Sequence, residues 1–232
     1  MNSLLKSFLV NNKRIKLLYC IGFLLLLGAA FAGICLGNTV ISLSELISAF
    51  SKGLSSSADG RIFLYVRLPR TVASLVCGAA LAVSGTVIQS VLANRLASPS
   101  IIGVNSGAGL AVTLCTAFGI YGGFRFSLFA FCGAFAAVMA VSLLARRIGA
   151  SRGTLILLGI AVNSLLNAVS DTVVTFIPEV GVMSNDFKVG DFSAVTYSRL
   201  LPSAALIAAS LVILFTLTYE LDVLSLGEDS AK

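Results

Sequence analysis

The sequence predicts an all-α fold, a polytopic bundle of transmembrane helices, and three observations carry that expectation. Of 232 residues, 57% are hydrophobic and only 11% charged, with a mean hydropathy of +1.00; soluble domains carry about 25% charged residues. The apolar residues fall into six blocks, each close to the roughly 20 residues that a helix needs to cross the hydrocarbon core. A chain in lipid must satisfy its backbone polar groups internally, and a helix does this within one segment.

The blocks run 17–37, 70–91, 101–121, 124–145, 154–177 and 201–219. The first follows Lys13, Arg14 and Lys16 and ends near Ala30-Phe31-Ala32, which a signal peptide would also do. Its length and the five spans behind it favour a retained first helix. Residues 38–69 offer a short amphipathic helix, Ile41-Ser42-Leu43-Ser44-Glu45-Leu46, then Ser55-Ser56-Ser57. Residues 178–200 carry Glu179, Asp186, Lys188 and Asp191. Both segments are long enough to fold at the membrane surface and meet a partner there. Basic residues at Lys6, Lys13, Arg14, Lys16, Arg146, Arg147 and Arg152 place both chain ends in the cytoplasm by the positive-inside tendency, although the opposite side also carries basic residues. Residues 1–232 are expected to form one membrane domain.

Several chemistries lack their residues. No histidine occurs, and Cys20, Cys35, Cys77, Cys115 and Cys132 stand singly in apolar runs, so no metal or cofactor is expected. No G-x-x-x-x-G-K-[ST] loop is present, so this chain is not expected to hydrolyse nucleotides. Gly103, Gly107 and Gly109 lack the lysine and preceding strand of a phosphate loop and read as close helix packing. The net charge of +6 sits between apolar blocks, where it serves orientation and lipid headgroups rather than nucleic acid.

Within the second span, Gly78-Ala79-Ala80-Leu81-Ala82-Val83-Ser84-Gly85 is a thinly clad stretch, expected inside the bundle because small residues let backbones approach. Gln89, Asn94 and Pro99 follow, and Gly103 to Gly109 open the third span. Two readings remain for residues 94–109: a cytoplasmic turn, or a functional gate. In the fifth span Asn163, Asn167 and Asp171 recur at i, i+4 and i+8, on one helical face, with Ser164 and Ser170 widening it. Polar groups within spans face a bundle interior or a water-filled cavity. The stripe therefore lines a path or bonds between helices, and a path is the reading we favour. The tail, Leu221 to Ser230, alternates apolar with acidic groups and reads equally as a partner-docking helix or a solvated end.

These strings in this order resemble the FecCD family of ABC importer permeases over nearly all of residues 17–231. The most specific are Arg67-Leu68-Pro69-Arg70-Thr71, Gly78 to Gly85 with Gln89, Asn94, Leu96-Ala97, Pro99, Gly103-Val104, Ser106-Gly107-Ala108, Leu157 to Ala161 and Leu224-Ser225-Leu226-Gly227-Glu228. The resemblance implies a type II importer permease-like bundle for a ferric siderophore or related iron chelate, with haem and cobalamin as alternatives. It implies a second permease subunit, a pair of ABC ATPase subunits that hydrolyse the ATP, and an extracytoplasmic substrate-binding protein. On that analogy Asn163, Asn167, Asp171 and Gly190 line the translocation path. Leu224, Ser225, Leu226, Gly227 and Glu228 couple to the ATPase, while Gly78, Gly85, Gln89, Asn94, Pro99, Gly103 and Gly107 serve packing or the gate.

Arg95, Ser98, Phe187 and Asp191 depart from the family pattern. The family has about ten spans, so the resemblance implies a truncated product or a fragment, for which a non-transporting scaffold or receptor is the competing expectation.

Overall fold

The structure, a computed structural model, describes residues 2–36 and 58–225. Its helices are α1 (Asn2–Cys35), α2 (Ala58–Ile62), a π-helical turn (Phe63–Arg67), α3 (Leu68–Leu92), α4 (Val104–Ala117), α5 (Gly123–Arg147), α6 (Arg152–Phe176), α7 (Glu179–Val189), α8 (Tyr197–Thr216) and α9 (Thr218–Ser225). Among the described residues, five helical stretches are long and apolar enough to cross a membrane: Lys13–Cys35, Gly60–Leu92, Gly123–Arg147, Arg152–Phe176 and Tyr197–Thr216.

The expected third span, 101–121, is shorter than its hydropathy indicates. Only Val104–Ala117 is α-helical, about 21 Å at 1.5 Å per residue, against a core of about 30 Å. Backbone geometry sets both ends. Gly103 caps the start at φ +100, and beyond the end Gly119, Gly122 and Gly123 all take positive φ, which glycine adopts at little cost. Residues 101–103 are apolar in sequence, yet they belong to a turn.

Contacts divide the chain into two units. The first contains residues up to Cys77 together with 192–205. Its joint is the Arg67-Leu68-Pro69-Arg70 string. Arg67, only 7% exposed, donates from Nη1 to Ile34 O at 2.8 Å and Cys35 O at 2.7 Å. It thereby caps carbonyls that the end of α1 leaves without helical partners, with its charge favourably placed against the helix dipole. Arg70 donates to Phe192 O and Ser193 O, each at 3.2 Å, and Tyr197 Oη donates to Leu64 O at 2.7 Å. One short string thus ties α1 and the 192–197 stretch to the same turn.

The second unit contains residues 78–191 and 206–232. Short α4 packs against α5, α6 and α7, and its buried face is small: Ser106, Gly107, Gly109, Val112, Thr113, Cys115 and Thr116. Gly107 crosses Gly133 of α5 so closely that a Cβ on either would overlap the other's carbonyl oxygen. Gly159 of α6 meets the Ile101 carbonyl in the same way. Association between helices in lipid rests on such close backbone packing. Large side chains such as Phe131, Phe135, Leu143, Leu157 and Leu165 are exposed, which suits a surface facing hydrocarbon.

Two expectations change. A Cβ added at Gly78 or Gly85 would meet nothing within 4 Å, so among the described residues these glycines face open space; the tight crossings use Gly107, Gly133 and Gly159 instead. Residues 178–200 are not simply a surface segment, because α7 folds back onto α4 and α6. Val180 and Ser184 are each 2% exposed, and Phe187 meets Phe126 edge to face, with centroids 6.1 Å apart. Gly181 fits beside Val174 at the reversal, where a Cβ would stand 3.0 Å from its methyl. The apolar and hydroxyl groups at 180, 184 and 187 share one face of α7, and burying that face outweighs leaving it at the surface.

Candidate functional site

Helix α6 positions the polar stripe on one face, but its three members do different things. Asn163 is half-buried and fully engaged. Its Nδ2 donates to Ser100 O at 2.8 Å and Ile101 O at 3.0 Å, and its Oδ1 accepts from Ser106 Oγ. It clamps the turn before α4 onto α6. Asn167, one helical turn further, is exposed and makes no hydrogen bond among the described residues. Asp171 lies 3.7 Å from Lys188 Nζ of α7.

Between α4, α6 and α7 lies a cleft of about 580 Å³. Its walls include Asn163 and Asn167, joined by Asn105, Ser106 and Lys188, with Ile160 and Phe187 as apolar patches. Lys188 is the one charged residue among its lining groups. The lysine stem lies over Gly109, with Cε 3.5 Å from where a Cβ there would stand. An alanine at 109 would meet that stem at ordinary van der Waals distance.

Behind the cleft is a hydroxyl knot. Thr113 of α4, wholly buried, donates to Gly109 O at 2.8 Å. Its hydroxyl has one proton and two acceptor sites, so the neighbouring Ser170 of α6 at 2.9 Å and Ser184 of α7 at 2.8 Å donate to it. All three helices are joined at one fully used oxygen. Unpaired polar groups are costly in such surroundings, and no buried side-chain N or O in the described chain lacks a partner.

Asn94 closes the turn after α3: its Oδ1 accepts from Leu96 N at 2.9 Å and its carbonyl from Ala97 N at 3.1 Å. Pro99 and Gly103 belong to the 98–103 turn that Asn163 holds, so the turn and the cleft wall are one feature. Gln89 is exposed on α3. Gly190 ends α7 at φ +76, its N–H bonded to Asp186 O, and does not line the cleft. Leu224 and Ser225 end α9, whereas Leu226, Gly227 and Glu228 lie outside the described residues, as does the amphipathic stretch 41–46. Reading the sequence missed Ser106, Thr113 and Ser184 as partners, and Lys188 as a wall of the cleft. Ser106 and Thr113 are seven residues apart, as are Asn163 and Ser170, a matching spacing that could have linked the two helices.

Glycine-crossed helices around a polar cleft, in a chain with five helices long and apolar enough to cross a membrane, are the build of an integral membrane protein. Residues 24–232 match the FecCD transport family, and the chain belongs to that family. It is 35% identical over 161 residues to the "Probable heme-iron transport system permease protein IsdF" of Staphylococcus aureus strain MSSA476, covering 69% of this chain and 49% of that protein. The protein of that name from strain NCTC 8325 matches at the same identity and coverage. The chain thus spans about half the length of the curated relatives it matches. A solved inward-facing structure of a transporter assigned to the metal-chelate ABC type superposes with a TM-score of 0.78 at 27% identity, covering 93% of this chain and 66% of that one.

Proposed function

We propose that this chain is part of the permease of an ABC importer for an iron chelate, and that the cleft between α4, α6 and α7 forms part of its translocation path. The observation that carries the reading is Asn167: an amide with no hydrogen bond among the described residues, exposed within a membrane-length helix and facing a polar cleft. Interhelical bonding, the competing role of the stripe, is taken by Asn163 and Ser170. In this reading Asn163 shapes the wall, Asn167 and Asp171 present polar groups along the path, and Gly190 lets the chain leave α7 beside it.

Residues 1–232 make one partial permease domain, with both ends cytoplasmic. A pair of ATPase subunits engages Leu224 to Glu228 and supplies the hydrolysis, a second permease subunit completes the path, and an extracytoplasmic binding protein delivers the ligand. The name of the staphylococcal relative makes haem the first ligand to try, with ferric siderophores second.

Uptake of labelled haemin and of a ferric siderophore into cells carrying this chain with its ATPase tests the reading. ATP-dependent uptake that falls in Asn167→Leu, with insertion unchanged, supports it. Normal uptake by that variant removes Asn167 from the path, and no uptake by the inserted wild-type chain overturns transport by this form.

A further inference from the structure

Lys188 brings the single charge to a cleft otherwise lined by neutral groups. Its carboxylate partner does not line the cleft: Asp171 stands 3.7 Å away, near the limit of ion pairing, and its side chain is 73% exposed against 38% for the lysine. An exposed pair at that separation is weak, and an ammonium has three donors, so the amine can serve a second anion without giving up a strong bond. The lysine stem and its helix are also positioned. The stem lies over Gly109, while α7 is fixed by Ser184 in the hydroxyl knot and by Phe187 against Phe126. A cation carried on a fixed helix into an otherwise neutral cleft raises the local concentration of anions.

Resting on the reading of the cleft as a path, we propose that Lys188 is a specificity-determining residue that makes the cleft prefer chelates bearing carboxylates, such as the propionates of haem, over uncharged chelates. Asp171 acts as the counter-ion that such a carboxylate displaces.

The test is binding to the detergent-solubilised chain by absorbance titration, with haemin as the anionic probe and an uncharged ferric trihydroxamate as the neutral one. Lys188→Gln is expected to weaken haemin binding about tenfold, the scale of one charge-assisted hydrogen bond, and to leave the neutral chelate unchanged. Lys188→Arg should retain the preference, and Asp171→Asn should keep or raise it. Equal loss for both probes, or no change in their ratio, overturns the proposal; a matching thermal melt for Lys188→Gln excludes misfolding as the cause. Because binding is read without ATP or uptake, a wild-type chain that binds haemin in preference but transports nothing refutes transport by this form and leaves the role of Lys188 standing. A wild-type chain with no preference for haemin refutes the role of Lys188 alone.

Discussion

Ser170 of α6 gives its hydroxyl proton to Thr113 of α4 across 2.9 Å, at a sequence separation of 57 residues, and Ser106 meets Asn163 two turns earlier at the same separation. Equal offsets at two points mean that α4 and α6 run parallel and in fixed register. Ser184 joins the same oxygen from α7, so one threonine joins side chains of all three helices at a single point.

Thr113→Val keeps the shape of that residue and removes its oxygen. Ser170 and Ser184 then lose their acceptor, and leaving buried donors unmet costs about 1–3 kcal/mol. A lower unfolding temperature in detergent is expected for Thr113→Val, with Thr113→Ser close to wild type. Equal melting of all three would show that the knot does not hold the helices.

The glycines divide into two classes. Gly107→Ala or Gly133→Ala drives a methyl into the facing carbonyl, and overpacking of this kind costs about 1–3 kcal/mol. Gly78→Ala and Gly85→Ala meet open space and should be neutral or stabilising by up to about 1 kcal/mol through helix propensity. Thermal melts of the four single variants in detergent check the ordering.

Asn163→Asp removes the amide protons that hold Ser100 O and Ile101 O while preserving size. The 98–103 turn should loosen, seen as faster thiol labelling of a cysteine placed at Ser100. Asn167→Ala, which breaks no hydrogen bond among the described residues, should leave that labelling rate unchanged.

Arg67→Ala strips the cap from the end of α1. Each hydrogen bond from a charged donor contributes about 1.5–3 kcal/mol, and the bonds to Ile34 O and Cys35 O are among those lost. Hydrogen exchange should quicken at residues 30–36, and Arg67→Lys, without the planar fork, should restore only part of the protection.

The sequence by itself determined the membrane class, most of the long helices and the shared face of Asn163, Asn167 and Asp171, because apolar length and helical period are local properties. The Arg67-Leu68-Pro69-Arg70 string was legible as a family mark, but its work in capping α1 was not, since the capped carbonyls lie more than thirty residues away. Only the tertiary structure decided that α4 is short, that α7 folds inward, and that Asn163 is a clamp while Asn167 faces the cleft. Hydropathy sums side chains and cannot register the backbone at Gly103. Residues on one helical stripe look equivalent until a neighbouring turn supplies carbonyls to one and an open cleft leaves the next without a partner among the described residues.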